Sequence, residues 1–476
     1  CALPIFAGLS NTTGSNNNFF GNQAGRCNTT GSNNIFIGNC AGVNNTFGKY
    51  NVFFGHYAGC CNTTASNNMF MGRCAGRFNT TGNYNQFFDA FAGYTNTTGN
   101  YNTFIGGRAG VNNVFGSNNN FLGYYAGCAN TSGCHNNFFG NAAGYKNTTG
   151  TNNNFIGLCA GWSNTFGNQN NFLGPNAGNS NTTGNSNNFF GYNAGLRNTT
   201  GSYNNFFGQE AASYNTTGNF NNFFGFKAGY CNTTGSHNNF IGCCAGFSNT
   251  FGKYNNFFGC GVGRCNTTGG YNNFFGQYSG FRNTTGCNNN FFGNIAGMCN
   301  TTGNQNTFIG QGAGCNNTYG SCNVVIGGVN TNVPVGTNSN QVVISSGNAT
   351  AACFSGAFSA WGNTSDGRDK TNIQPLPQGK DFLAKLRPVK FQWDFRDEDK
   401  KKLPPQGKEE AGLIAQEVQA VQQEYNADYL RLVDDNAPDS LGIYKTNFIP
   451  ILIKAIQELD AEVTALRQEI ETLKSN

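Results

Sequence analysis

The sequence predicts a mainly β protein: a repetitive parallel β-solenoid or β-roll, followed by an α+β region that ends in a coiled coil. Three observations carry this. A 17-residue unit runs from Asn11 to Asn317 as 18 copies without insertion or deletion, and a partial nineteenth follows. Each copy places the same turn residues and the same aromatic residue at the same offsets. From Ser365 onward that period is gone, charges are dense and apolar residues fall at helical spacing. A register this strict describes stacked structural units, each burying its neighbour.

The copy Asn181–Arg197, NTTGNSNNFFGYNAGLR, serves as the type unit, numbered 1 to 17 from its Asn. Position 7 is Asn in every copy (Asn17, Asn187, Asn323) and position 9 is Phe in all 18 complete ones (Phe19, Phe189, Phe308). Position 10 is always apolar, and position 11 is Gly except at Asp89. Thr-Gly at positions 3–4 and Ala-Gly at 14–15 mark two corners, because Gly admits the positive φ a corner needs. The spacing predicts strands over positions 6–10 and from 16 to 3 of the next unit. So much Gly, Asn and Thr disfavours helix, and a single proline, Pro175, falls within residues 11–327. Alternation puts Asn at 7 and Phe at 9 on one face and the apolar position 10 on the other. Two apolar faces suit a chain that fills its own coil with one and meets neighbouring chains with the other, a homo-oligomeric fibre. The position-7 amides then stack as a ladder. Position 3 becomes Phe at Phe47, Phe115, Phe166 and Phe251, so the reading withdraws that position from water.

Composition narrows function. Residues 1–327 hold 11 Lys+Arg against 2 Asp+Glu, and the remainder holds 16 against 20. The basic residues form no run, so nucleic acid is not an expected partner. Asp89 and Glu210, the repeat's two carboxylates, lie about seven turns apart and cannot work as the paired acids of a glycosidase. No CxxC pair occurs among the 19 cysteines, and no metal or cofactor is expected. Cys243 and Cys260 share position 12 of successive units, close enough for a disulfide. N-glycosylation sequons open 14 copies, at Asn11, Asn28, Asn62, Asn79, Asn96, Asn130, Asn147, Asn181, Asn198, Asn215, Asn232, Asn266, Asn283 and Asn300. The competing reading is that these Asn and Thr serve turns and stacking. No apolar run is long enough to span or insert into a membrane.

The first residues, CALPIFAGLS, already fit positions 8–17 of a unit, so residues 1–327 read as a shaft cut from a longer array. Residues 328–364 read as a β transition. The repeat resembles the head repeats of trimeric bacterial adhesins and phage fibre shafts, which also read apolar-apolar-Gly-x-x-Ala-Gly. That resemblance implies a trimeric β-roll, with a triple β-spiral as the alternative.

The blocks after the boundary are Ser365-Asp366-Gly367-Arg368-Asp369-Lys370, then Phe382–Val389, Phe391-Gln392-Trp393-Asp394, Gly412–Val418 and Tyr444–Leu459. In this order they resemble the endosialidase-type intramolecular chaperone, a domain that ends many phage tail fibres. The resemblance implies a trimerising domain at 365–450 that helps the β shaft assemble and then cuts itself off. It implies scission at Thr364–Ser365, with Ser365 as nucleophile and Lys370 as base. A Ser-His-Asp triad within this domain is excluded, since no His follows His237. A desolvated Lys can take the base's place, as it would if buried at a trimer contact. Over 451–476 the seam Leu452, Ile456, Leu459, Val463, Leu466, Ile470, Leu473 is spaced as a coiled coil, trimeric by the resemblance, with Glu458, Glu462 and Arg467 on its solvated flanks. The expectation is therefore a homotrimeric fibre on a virion or cell surface. A surface adhesin whose repeats bind a host glycan or receptor is the alternative.

Overall fold

A computed structural model describes residues 5–328, 339–345, 352–355, 370–392, 394, 407, 409–434 and 441–475. The chain divides into two compact units, Cys1–Phe358 and Ser359–Asn476.

The first unit is a parallel β-solenoid of about 19 turns. Each turn contributes one three-residue strand at positions 8–10, from β1 (Asn18–Phe20) to β18 (Thr307–Ile309). Every strand pairs in parallel with the next at an offset of one repeat: Phe189 faces Phe172 and Phe206. The position-9 rings stack face on face, with centroids about 4.8 Å apart along most of the column. That is the spacing of neighbouring strands in a sheet, so the chain stacks as a solenoid and the triple-spiral alternative is set aside.

The predicted second strand is absent. The stretch begins inside turns: the Leu196 N–H donates to Asn193 O (3.3 Å) and the Asn198 N–H to Gly195 O (3.0 Å), three-residue bonds within one coil that curl the backbone there. The turns are entered through left-handed residues at positions 13 and 15 (Asn193 φ 55, Gly195 φ 57). The turns still bond coil to coil, as in Arg197 N–H to Ser213 O at 3.0 Å and Thr182 N–H to Thr199 O at 2.8 Å. Position 6 is also left-handed without Gly (Ser186 φ 55), and its N–H donates to Asn168 O at 3.0 Å. Each coil therefore holds strained residues that the ladder secures.

Inside, the Phe column is fully buried from Phe36 to Phe308, with the position-14 alanines packed beside it. Position 15 shows why the column demands Gly. A Cβ on Gly195 would sit 2.5 Å from a carbon of the Phe189 ring. Ala212 is the natural trial: it keeps φ 50, and beside it Phe206 and Phe223 open to 5.2 Å with a 17° tilt. The next pairs on either side are back at 4.7 and 4.6 Å.

Two asparagines per coil are also buried. Position-1 amides form a side-chain ladder, Asn198 Nδ2 donating to Asn181 Oδ1 (2.8 Å) and to Gly201 O (2.9 Å). The position-7 amides stack turn on turn as expected, with backbone partners added. Asn187 Oδ1 accepts both the Asn204 N–H (3.0 Å) and Asn204 Nδ2 (3.2 Å), and Asn187 Nδ2 donates to Gly201 O of the next coil (2.8 Å). A further amide ladder at position 8 runs from Asn120 to Asn290.

Position 10 faces outward as expected: Phe20, Phe54, Ile156 and Ile309 are exposed, and Phe190, Phe207 and Phe224 stack along the surface. Position 3 does not leave water. Phe47, Phe115, Phe166 and Phe251 are all more than half exposed, because this corner points away from the Phe column. The solenoid also passes the end of the repeat. β19 (Val324–Gly327) pairs in parallel with β20 (Gln341–Ser345), which pairs antiparallel with β21 (Ala352–Ser355). That reversal ends the parallel ladder.

The second unit is small and α+β. Helix α1 (Lys380–Lys385), the antiparallel pair β22 (Val389–Gln392) and β23 (Glu409–Gly412), and α2 (Ala415–Glu424) come first. The two-stranded pair β24 (Val433–Asp434) and β25 (Gly442–Ile443) precedes α3 (Ile449–Ser475). Its core gathers Phe382, Val418, Val421, Leu432, Phe448 and Ile451, with Leu413 packed against it.

Candidate functional site

The sequence directs attention to the start of the second unit. Thr364 and Ser365 lie outside the described residues. Lys370 is described and is exposed in the single chain.

The elements beyond Lys370 are held by a clamp from α3. The first N–H of α1, at Lys380, donates to Glu458 Oε2 (2.7 Å), and the Lys380 ammonium pairs with Glu462. Glu458 thus caps the positive end of a short helix that lacks a side-chain cap of its own. The bond from the Lys380 N–H, then the Lys454 and Lys380 charges, hold its carboxyl below the usual range. Gly379 leaves the room: a Cβ there would meet the Glu458 carboxylate. Glu458 and Glu462 read in the sequence as solvated flanks of a seam. Their partner, α1, lies almost 80 residues upstream, a distance that heptad spacing does not reveal. Arg387 to Glu417 and Lys385 to Glu424 add surface pairs between α1's end and α2.

Helix α3 therefore has two working faces. Ile451 and Ala455 are buried in the unit's own core, while Leu452, Ile456, Leu459, Val463, Leu466, Ile470 and Leu473 are all exposed. An uncovered apolar seam of this length is a contact surface. The position-10 row of the solenoid is a second such surface within its own unit.

The remaining predicted residues lie in the solenoid. Cys243 and Cys260 stand on adjacent coils as exposed free thiols. Burial first, then the neighbouring Cys243, pushes the Cys260 thiol up. Of the sequon asparagines only Asn11, on the first coil, is exposed. The other 13, Asn28 through Asn300, are fully buried with their Nδ2 committed to two acceptors. A glycan on that nitrogen has no room in the folded coil. A thiol pair that sequence reading did not single out is Cys60–Cys61. Its shared hydrogen bond pulls Cys61 down to about 7 and pushes Cys60 up. Among the described residues no group of three or more His, Cys, Asp or Glu could hold a metal ion. Nor is any described helix long and apolar enough to cross a membrane.

Comparison with known proteins agrees with the division of the chain. No curated protein and no solved structure matches it. Residues 365–426 match the peptidase S74 family, described as chaperone of endosialidase, and the match begins at the serine that opens the motif. The solenoid and this match together describe a fibre-like structural protein. Downstream of its β-solenoid shaft, the chain carries a chaperone of endosialidase domain.

Proposed function

We propose that the domain assembles three copies of the shaft into a fibre on a virion surface and then releases itself by cutting Thr364–Ser365. The observation that carries the assembly is the uncovered apolar seam of α3, directly downstream of the matched domain. Association of three seams would bury it, and the position-10 row offers the shafts a matching apolar contact.

For release, the Ser365 hydroxyl attacks the Thr364 carbonyl carbon while Lys370 takes the hydroxyl proton. The C–N bond breaks, the proton passes to the freed Ser365 amine, and the acyl group rests on Oγ as an ester. Water then hydrolyses that ester. Lys370 is exposed in the single chain, so this reading places its activation in the trimer, where burial would lower its pKa. Cleavage would thereby follow assembly. In an oxidising surrounding, Cys243 and Cys260 would further bridge two coils.

Denaturing gels and intact mass test the release: wild type yields the fragment 365–476, whereas S365A and K370M stay whole. An uncut wild type, or an S365A that is cut at the same bond, removes the self-cleavage. Sedimentation of the uncut S365A chain tests the assembly separately, with a trimer expected and a monomer overturning it.

A further inference from the structure

Eleven basic residues spread over the repeat array look unordered along the chain, yet the coil collects them. Nine of the eleven, from Arg26 to Arg282, occupy positions 12, 13, 16 or 17. The other two, Lys49 and Lys253, occupy position 5. Contacts show that the four positions make one continuous face. Arg77, at position 16, lies 4.8 Å from the Tyr57 ring on the preceding coil and 5.9 Å from Tyr94 on the next. Arg73, at position 12, lies 5.5 Å from Phe91 at position 13 of the next coil. Arg108 donates to Tyr125 Oη at 2.7 Å, and Arg197 sits 4.1 Å from the Tyr214 ring. Lys146 over Trp162 (4.2 Å) and Arg264 near Phe247 (5.5 Å) continue the row. Most of these cations are exposed. Two carboxylates lie on or beside the face: Glu210 pairs with Lys227 at 3.5 Å, and the exposed Asp89 sits next to Gly107, at position 12 of the following coil.

We infer that this cationic–aromatic edge of the shaft binds a linear acidic polysaccharide laid along the solenoid axis. Cation–π contact fixes where each guanidinium sits while leaving N–H donors for an anion. Seven of the nine cations are Arg, which grips carboxylate or sulfate through two parallel bonds. Charge density selects the partner. At a coil rise of about 4.8 Å, nine cations over 15 steps place one charge per roughly 9 Å. Duplex DNA carries one charge per about 1.7 Å, so the edge would leave most of its phosphates unmatched. A polysaccharide with one acidic group per one or two sugars matches the spacing. The edge is also unsuited to contact between identical shafts, since it would bring like charges together out of water. The inference rests on the array being an exposed shaft, and is independent of trimerisation and self-cleavage.

The test is binding of the full chain to immobilised hyaluronate and polygalacturonate, with neutral dextran and duplex DNA as comparisons, between 50 and 200 mM salt. Both acidic polymers should bind with affinity falling as salt rises, while dextran should not bind and DNA should bind more weakly. A quadruple R77Q/R108Q/R197Q/R264Q variant should lose at least tenfold in affinity, and K49Q/K253Q should stay within twofold of wild type. The same four changed to Lys should keep most of the affinity, and this set decides the matter if the Gln set fails to fold. Binding to dextran equal to that of the acidic polymers, tighter binding to DNA, a salt-independent affinity, or a quadruple Gln variant that folds and binds as wild type would each overturn the inference.

Discussion

The solenoid and the second unit bury their apolar groups in opposite ways. In the solenoid the core repeats coil by coil, the column Phe36 through Phe308 with the position-14 alanines beside it, and each ring stacks on the ring of the coil before and after. Disturbance stays local, as the tilt beside Ala212 shows by vanishing within one coil on either side. In the second unit, short elements from all along its sequence converge on Phe382, Val418 and Ile451, and most of α3's apolar seam is left over. The solenoid presents nearly the same outward row in every coil and so cannot set its register against another copy. Slipping two shafts by one coil pairs almost the same residues and loses contacts only at the ends. The second unit has a unique sequence and an unsatisfied surface, and so has what the shaft lacks. Placing a registering device after a register-degenerate array is the physical sense of the arrangement.

The sharpest break of this contrast is Phe189→Ala. The ring is fully buried and stacked on both sides, so removal should cost about 3–5 kcal/mol. Chemical denaturation followed by the β-sheet signal should show it. Because coils couple only to neighbours, hydrogen exchange should rise in the coils around residue 189 and leave those near Phe53 unchanged. Uniform loss of protection along the array would contradict nearest-neighbour stability.

Asn187→Ala comes next. It removes the acceptor for the buried Asn204 N–H, at about 1–3 kcal/mol for a group left unsatisfied, while Gly201 O loses one of two donors and keeps Asn198 Nδ2. The same exchange at Asn185, a position-5 residue near the surface, should cost clearly less. Equal effects would mean the buried ladder carries no special weight.

These two residues also show what was legible. Phe at 9 and Asn at 7 recur at a fixed period, and periodicity is what sequence reading detects best, so the coil, its inside and its outward apolar row could be read directly. The second strand could not. Positions 16 to 3 are entered through turns that start at left-handed residues such as Asn193, and asparagine, tyrosine and cysteine there give no signal as clear as Gly. The outward turn of Phe47 was missed because apolarity was taken for burial, which holds only one way. The cationic edge was missed because its members fall several coils apart and meet only through stacking. In the second unit the ordered motif blocks marked the domain, yet the Glu458 clamp on α1 joins residues far apart in sequence with no repeat to announce them.

Ala212→Gly should move stability the other way. The alanine holds φ 50 and presses on the Phe206 ring. A left-handed alanine costs roughly 1–2 kcal/mol, partly offset by the greater freedom of Gly in the unfolded chain, so a gain of about 1 kcal/mol is expected from the same denaturation curves. A loss would show that the displaced ring is not strained.

The smallest effect separates the two units by pH. Glu458's carboxyl is held below its ordinary value by the Lys380 N–H and nearby ammonium groups. A carboxyl depressed in the folded state stabilises above its unfolded pKa, and that contribution fades as pH falls through the folded value. The midpoint of the second unit should therefore fall as pH drops from 5 to 3. Among the described residues every α-helix lies in this unit, so ellipticity at 222 nm reports it separately from the solenoid. Glu458→Gln keeps a hydrogen-bond acceptor but removes the charge, and should flatten the acid slope while leaving the solenoid's transition in place. The solenoid, with Asp89 and Glu210 as its carboxylates up to Gly327, should unfold at nearly the same midpoint across that range. Since the cap is solvent-exposed the shift will be modest, and 1 M salt should shrink it further. A slope unchanged in the variant would place the acid sensitivity in another carboxylate.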